Sequence, residues 1–155
     1  PLRRWLWTCT AHVPEAGRAG HVGAFARLLG KRRLPVRGDL LSRFGSPRTE
    51  GNGSSKGVFI RSTEGQQVRS IASGRVVFAD WMRGFGNLLI VDHGETYLSV
   101  YGNNEALLKQ PGDAVAAGEP IATVGSTGGS AETGLYFELR HLGKAFDPLR
   151  WSNLK

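Results

Sequence analysis

The segment Glu132-Thr133-Gly134-Leu135-Tyr136-Phe137-Glu138-Leu139-Arg140 alternates apolar side chains with polar, small or aromatic ones, as a half-buried β-strand does. Successive side chains of a strand point to opposite faces, so the segment has two distinct faces. The face predicted to lie in the core carries Leu135, Phe137 and Leu139. The face predicted to form the floor of a groove carries Gly134, Tyr136, Glu138 and Arg140.

The chain around this segment has the composition of a single all-β domain. From about Leu34 onward, short apolar runs alternate with glycine-containing turns, which favours strands and argues against long helices. The segments Val68 to Phe78 and Ala114 to Val124 place Val, Ile and Gly in a similar order, which suggests two equivalent β units. A chain of 155 residues can bury one core. The apolar runs reach only four residues, as in Leu88 to Val91, which is too short to span a membrane.

Residues 1–33 are predicted to form a basic N-terminal arm, and residues 34–155 the β domain. Val22, Phe25, Ala26 and Leu29 recur at spacings of three and four, which predicts an amphipathic helix over about residues 19–31. The net charge of +7 is concentrated in residues 1–48, which hold ten Lys/Arg and two Asp/Glu. A solvated surface is the simplest interpretation. A nucleic-acid partner is not expected, because no aromatic residues alternate with these cations to stack bases.

Several motifs of the domain resemble those of LytM/M23 peptidases. Gly134-Leu135-Tyr136-Phe137-Glu138 resembles the family strand His-Leu-His-Phe-Glu, and Ser55-Lys56-Gly57-Val58-Phe59 resembles its His-x-Gly-x-Asp segment. Tyr101-Gly102-Asn103 resembles the segment Tyr-Ala-His. The glycine framework between Glu64 and Gly128 matches as well, so the resemblance covers about Leu34 to Trp151. It implies a LytM/M23-like β-sandwich with glycine-rich loops and a groove, preceded here by a short helical arm.

The same resemblance implies that the hydrolytic chemistry is missing. The family's zinc ligands and catalytic histidines correspond here to Ser55, Phe59, Asn103, Gly134 and Tyr136. A catalytic zinc site needs three protein ligands and an open position for water. Two hydroxyl groups and a phenyl ring do not supply such a set. We therefore expect no catalytic residue, no bound metal and no cofactor, which makes the domain a pseudo-peptidase.

The forms Lys-Gly-x-x-Ile and Leu-Tyr-Phe-Glu are more specifically similar to the degenerate LytM domain of EnvC-type murein hydrolase activators. This resemblance implies a periplasmic activator of zinc-dependent peptidoglycan amidases (N-acetylmuramoyl-L-alanine amidases), which acts in septal wall splitting and daughter-cell separation. We expect any export signal, and any contact with an upstream division complex, to lie outside this chain. Two alternatives remain open, namely a peptidoglycan-binding module and, less favoured, a residual zinc endopeptidase.

By resemblance, the partner would bind in a groove bordered by Lys56, Phe59, Phe85, Asn103, Tyr136 and Arg140. Aromatic and arginine side chains often dominate binding hot spots. Phe85 is favoured as a contact at the groove edge, because glycines flank it and a loop cannot easily bury a large ring. The helix over residues 19–31 could belong to an arm that covers the groove until an upstream signal removes it.

Several of these residues have simpler interpretations. Phe59 could pack in the core, with Val58 and Ile60 facing outward. Tyr136 could fill the space that a metal would occupy, with its hydroxyl hydrogen-bonded nearby. Arg140 could be solvated or could pair with Glu138 or Glu132. Three further residues are predicted to be structural: His93, through hydrogen bonds, and Trp81 and Trp151, through packing.

Overall fold

The computed structural model describes residues 33–46, 55–129 and 131–151. The predicted arm, apart from Arg33, lies outside these residues, and so does its helix. In the described part of the chain, no helix is long and apolar enough to cross a membrane. The elements are β1 (Asp39–Ser42), β2 (Val58–Arg61), β3 (Gln67–Arg69), β4 (Gly74–Met82), β5 (Gly86–Asp92), β6 (Tyr97–Leu107), β7 (Ala114–Val115), β8 (Pro120–Val124), β9 (Gly134–His141), β10 (Lys144–Phe146) and the helix α1 (Pro148–Trp151).

All pairs of neighbouring strands are antiparallel, and the main sheet has the order β1-β2-β9-β6-β5-β4-β7. The eleven-residue strand β6 links two parts of the fold. Its first half lies between β5 and β9, and its last residues pair with β8, which also pairs with β3. The fold is therefore all-β, as the sequence predicts. The two segments of similar sequence pair with each other. The strands β3 and β4 of the first segment pair with β8 and β7 of the second, respectively.

The core lies on one face of the main sheet. Leu135, Phe137 and Leu139 of β9 are at most 1% exposed, so the predicted core face of this strand is confirmed. Val68 of β3 and Ile121 of β8 belong to the same cluster, which shows that these strands cover that face. Burying each such side chain contributes about 1.5 to 3 kcal/mol, and this drives the two parts of the fold together.

The opposite face of the sheet is divided between apolar and polar side chains. On β5 and β6, a second cluster contains Leu88, Ile90, Leu98 and Val100, with Val77, Phe78, Met82 and Phe85 packed against it. On the neighbouring strand β9, Glu138 lies opposite Val100, and Arg140 lies opposite Leu98. Tyr136 continues this row towards the start of β9. The candidate site lies around that tyrosine.

Candidate functional site

Three strands bring the candidate site together. Phe59 of β2 lies opposite Tyr136 of β9, and Tyr136 lies opposite Gly102 of β6 on its other side. Gly134 makes room for this arrangement, because a Cβ atom there would lie 2.7 Å from Cε1 of Phe59 and 2.4 Å from the Ile60 carbonyl oxygen. The ring of Phe59 thus lies against the backbone of Gly134. Phe59, Gly134 and Tyr136, which the resemblance assigns to lost ligands and catalytic groups, therefore lie next to one another.

Phe59 lies on the site side of β2. It is partly exposed, whereas Val58 and Ile60 are fully buried in the core. The alternative in which Phe59 packs in the core and its two neighbours face outward is therefore wrong. The physical reason is the period of two, which sends Val58 and Ile60 to the same side as Phe137 and leaves Phe59 on the other.

Phe85 reaches the site from the turn between β4 and β5. The flanking residues Gly84 and Gly86 have φ angles of 87° and 72°, which few other residues tolerate. The Phe85 ring centroid lies 5.6 Å from that of Tyr136, with the planes tilted by 57°. This distance is within the range of favourable aromatic pairs. Phe85 is partly exposed, so the structure places an aromatic ring at the edge of the site.

A chain of polar contacts runs along β9 beneath the rings. The Tyr136 hydroxyl donates to Oε1 of Glu138, and Oε2 of Glu138 accepts from Nε of Arg140 at 2.7 Å. Glu138 is 1% exposed and Arg140 is 8% exposed, so this ion pair is buried. Of the interpretations considered for Arg140, pairing with Glu138 is confirmed. Its guanidinium is used inside the protein and has little surface to offer a partner.

Asn103 is also turned inward, with 3% of its surface exposed. Its Nδ2 donates to the carbonyl oxygens of Gly125 and Gly134, both at 2.9 Å. Its Oδ1 accepts from the Gly128 N–H at 2.7 Å. The side chain expected at the groove is thus used within the protein, where it connects the site to a neighbouring loop.

The segment before β2 places Ser55 and Lys56 differently. Ser55 is buried, and its Oγ donates to the Gly57 carbonyl at 2.9 Å. Gly57 lies close to β9, since a Cβ atom on it would be 2.8 Å from Cγ of Glu138. Lys56, between these two buried residues, is exposed. It supplies a positive charge beside the strand that carries Tyr136.

The side chains at the lost ligand positions do not fit a zinc ion. Phe59 has no donor atom, and the hydroxyl groups of Ser55 and Tyr136 both donate to protein oxygens. Within residues 33–46, 55–129 and 131–151, no group of three or more His, Cys, Asp or Glu side chains could hold a metal. Around Tyr136, the structure leaves the rings of Phe59 and Phe85 partly exposed and Lys56 exposed.

Two features of the structure differ from what the sequence predicts, namely the exposure of Trp81 and a polar network around Thr127. Trp81 is 58% exposed, so the prediction that it packs is wrong: it lies opposite Asn87, near the end of the β4–β5 hairpin. Thr127 and Asn104 form an unforeseen polar network, in which Oγ1 of Thr127 accepts from the Asn87 N–H and donates to the Asn104 carbonyl. The signal for this network was a cluster of Asn and Thr near glycines. The side chain of Trp151 lies outside the part of the chain that the structure describes.

His93 is held by two contacts away from the site. Its Nδ1 lies 2.8 Å from the Ser73 carbonyl oxygen, and its Nε2 lies 2.7 Å from Oγ of Ser99. A carbonyl can only accept, so Nδ1 carries the proton and Nε2 accepts from the serine. Burial lowers the pKa of His93 to about 4, against the Ser73 contact, which raises it. The predicted role in structural hydrogen bonding is confirmed.

Residues 53–148 match the sequence profile of peptidase family M23. The chain belongs to this family. It is 43% identical over 137 residues to the murein hydrolase activator EnvC of Escherichia coli (strain K12), covering 88% of this chain and 32% of EnvC. It is 42% identical over 120 residues to the murein hydrolase activator NlpD of the same organism, covering 77% of this chain and 30% of NlpD. The chain thus spans about a third of the length of these relatives.

Solved structures share the fold, and some of them are named as peptidases. A zinc-containing peptidase from Vibrio cholerae superposes with a TM-score of 0.70 at 25% identity, covering 77% of this chain and 38% of the other. The catalytic domain of lysostaphin, an antimicrobial peptidase from Staphylococcus simulans, superposes with a TM-score of 0.67 at 28% identity, covering 72% of this chain and 89% of the other. The fold is that of an M23 peptidase domain, whereas the curated relatives named above are activators.

Proposed function

We propose that this domain is a non-catalytic activator of periplasmic peptidoglycan amidases, the zinc-dependent N-acetylmuramoyl-L-alanine amidases that split the septal wall between daughter cells. The observation that carries the proposal is the side-chain chemistry at the lost ligand positions. An M23 fold with Phe59 and Tyr136 at those positions, and with the tyrosine hydroxyl bonded to Glu138, has no set of groups for binding zinc. Its relatives EnvC and NlpD carry the name murein hydrolase activator.

The partner is proposed to bind in a groove at the candidate site. Phe59 and Phe85 are both partly exposed beside Tyr136, and Lys56 is exposed in the segment before β2. Rings with a cation at the rim suit an amphipathic helix that places its apolar side in a groove and an acidic side chain at the edge. Arg140 and Asn103 support the groove from beneath, because they are buried and bonded internally.

Activation requires that the domain bind the active form of the amidase more tightly than the inactive form. A twentyfold preference corresponds to about 1.8 kcal/mol. One or two well-packed aromatic contacts contribute this much at protein interfaces. No bond is made or broken by this chain in such a mechanism, since the amidase's own zinc site performs the hydrolysis.

The test is dye release from labelled sacculi with a periplasmic amidase alone, with the domain alone, and with both. Release only in the mixture is the expected result. Release by the domain alone would establish a residual endopeptidase and overturn the proposal. If the mixture releases no more dye than the amidase alone, but the domain sediments with sacculi, the peptidoglycan-binding alternative replaces it.

Phe85→Ala tests the location of the groove. It is expected to raise the half-maximal activating concentration at least about tenfold, which corresponds to about 1.4 kcal/mol for the loss of an aromatic contact. Leu108→Ala is the control, because Leu108 is an apolar residue with 50% exposure, more exposed than Phe85, and it follows the end of β6 that pairs with β8. Equal effects of the two substitutions would place the interface elsewhere.

A further inference from the structure

Three backbone segments surround the candidate site, and one side chain is bonded to two of them. The segments are the β4–β5 turn at Phe85, the loop after β8 from Gly125 to Gly129, and the start of β9 at Gly134. The Asn103 amide joins the second and third segments through Gly125, Gly128 and Gly134. The backbone N–H of the same residue donates to the Phe85 carbonyl at 2.7 Å and so joins the first.

The geometry suits asparagine at this position. An asparagine side chain offers two N–H donors and one carbonyl oxygen, and here both donor directions and the oxygen are used. The φ angle of Asn103 is 66°, in the left-handed region that asparagine adopts more readily than most residues. Gly128 is required as well, since a Cβ atom on it would lie 2.9 Å from Oδ1 of Asn103 and 3.0 Å from the Phe85 carbonyl oxygen.

We propose that Asn103 is a positioning residue that presets the groove for its protein partner. The Asn103 clasp is defined as Asn103 with its four backbone partners in Phe85, Gly125, Gly128 and Gly134. This inference rests on the proposed function. The Asn103 side chain holds the loop from Gly125 to Gly129 against the start of β9, and its backbone N–H holds the Phe85 carbonyl. Binding of a partner therefore does not have to order these segments.

Asn103→Gly is the appropriate test, because glycine keeps the positive φ angle and removes only the side-chain bonds. Asn104→Ala is the matched control. Asn104 is also fully buried, and its Nδ2 also donates to two carbonyl oxygens, but these belong to Asn87 and Tyr101 of β5 and β6. Both substitutions should lower the melting temperature, whereas only the first should affect the groove.

Hydrogen exchange of the isolated domain measures how firmly the clasp holds the loops when no partner is present. In Asn103→Gly, peptides that contain residues 125–129 are expected to exchange at least about tenfold faster, because the Gly128 N–H loses its acceptor and local opening of this loop costs less free energy. In Asn104→Ala, exchange at residues 125–129 should stay close to the wild-type rate. Unchanged exchange in Asn103→Gly would show that the side chain does not hold the loops, and would overturn the inference.

The activation assay measures the contribution of the clasp to partner binding. For Asn103→Gly, the half-maximal activating concentration is expected to rise at least about tenfold, while saturating concentrations restore the wild-type plateau, since the partner must now order the loops itself. Asn104→Ala should leave both values near wild type. Faster exchange with an unchanged half-maximal concentration would overturn the positioning role. Failure of the wild-type domain to activate would count against the proposed function, whereas exchange decides the clasp independently.

Discussion

Acidification is expected to destabilise this domain through His93. The neutral ring donates from Nδ1 to the Ser73 carbonyl and accepts at Nε2 from the Ser99 hydroxyl. A second proton would place a positive charge where burial disfavours it and would require the Ser99 hydroxyl to turn and accept instead. Burial is the larger influence on this residue and lowers its pKa from 6.5 to about 4. In the unfolded chain, the same histidine takes up a proton near its ordinary pKa.

The sign and size of the effect follow from these two pKa values. Between pH 6.5 and about 4, the unfolded state binds a proton that the native state does not, so the free energy of unfolding decreases as the pH falls. The full difference corresponds to about 3.4 kcal/mol, and about 2 kcal/mol of it is lost by pH 5. Asp92 acts in the opposite direction: burial raises its pKa, against the Gly94 hydrogen bond that lowers it.

Urea unfolding of the wild type and of His93→Gln at several pH values between 7.5 and 4.5 isolates the histidine. Glutamine does not titrate, whereas Asp92 is present in both proteins. The wild type is expected to lose about 2 kcal/mol more than the variant between pH 7.5 and 5. If the two curves of unfolding free energy against pH run parallel, His93 is not kept neutral by the fold and the argument is refuted.

Three further predictions concern the candidate site. Glu138→Gln leaves Arg140 buried without its carboxylate and should cost about 3 to 5 kcal/mol in denaturant unfolding, with part recovered when Arg140→Met is added. Gly134→Ala would bring a methyl group to 2.4 Å from the Ile60 carbonyl oxygen and should cost more than about 2 kcal/mol. Gly129→Ala is the control, because the space around Gly129 is open and only its φ angle of 79° opposes a side chain; its unfolding free energy should fall by about 1 kcal/mol. Equal losses of stability in Gly134→Ala and Gly129→Ala would contradict the packing argument. Zinc ions and chelators should both leave the melting temperature unchanged, and a zinc-dependent rise would mean that the site holds metal after all.

The faces of individual strands could be read from the chain because alternation is a local property. Leu135, Phe137 and Leu139 occupy the core as their spacing predicts. The absence of zinc ligands at the family positions was likewise visible from residue identities. Trp81 shows the limit of such reasoning, since a large apolar residue is usually buried, yet it lies near the end of a hairpin and is 58% exposed.

The sequence by itself therefore determined the all-β class, the inward face of the last long strand, and which residue types stand at the positions that resemble the family's zinc motifs. Each of these depends on residue types or on neighbours along the chain. The tertiary structure decided that Glu138 and Arg140 are buried and that Phe85 lies beside Tyr136. It also decided that the Asn103 amide is hydrogen-bonded inside the protein, to backbone groups 22 to 31 residues away. Such contacts depend on how distant strands and loops meet, and no local pattern encodes that.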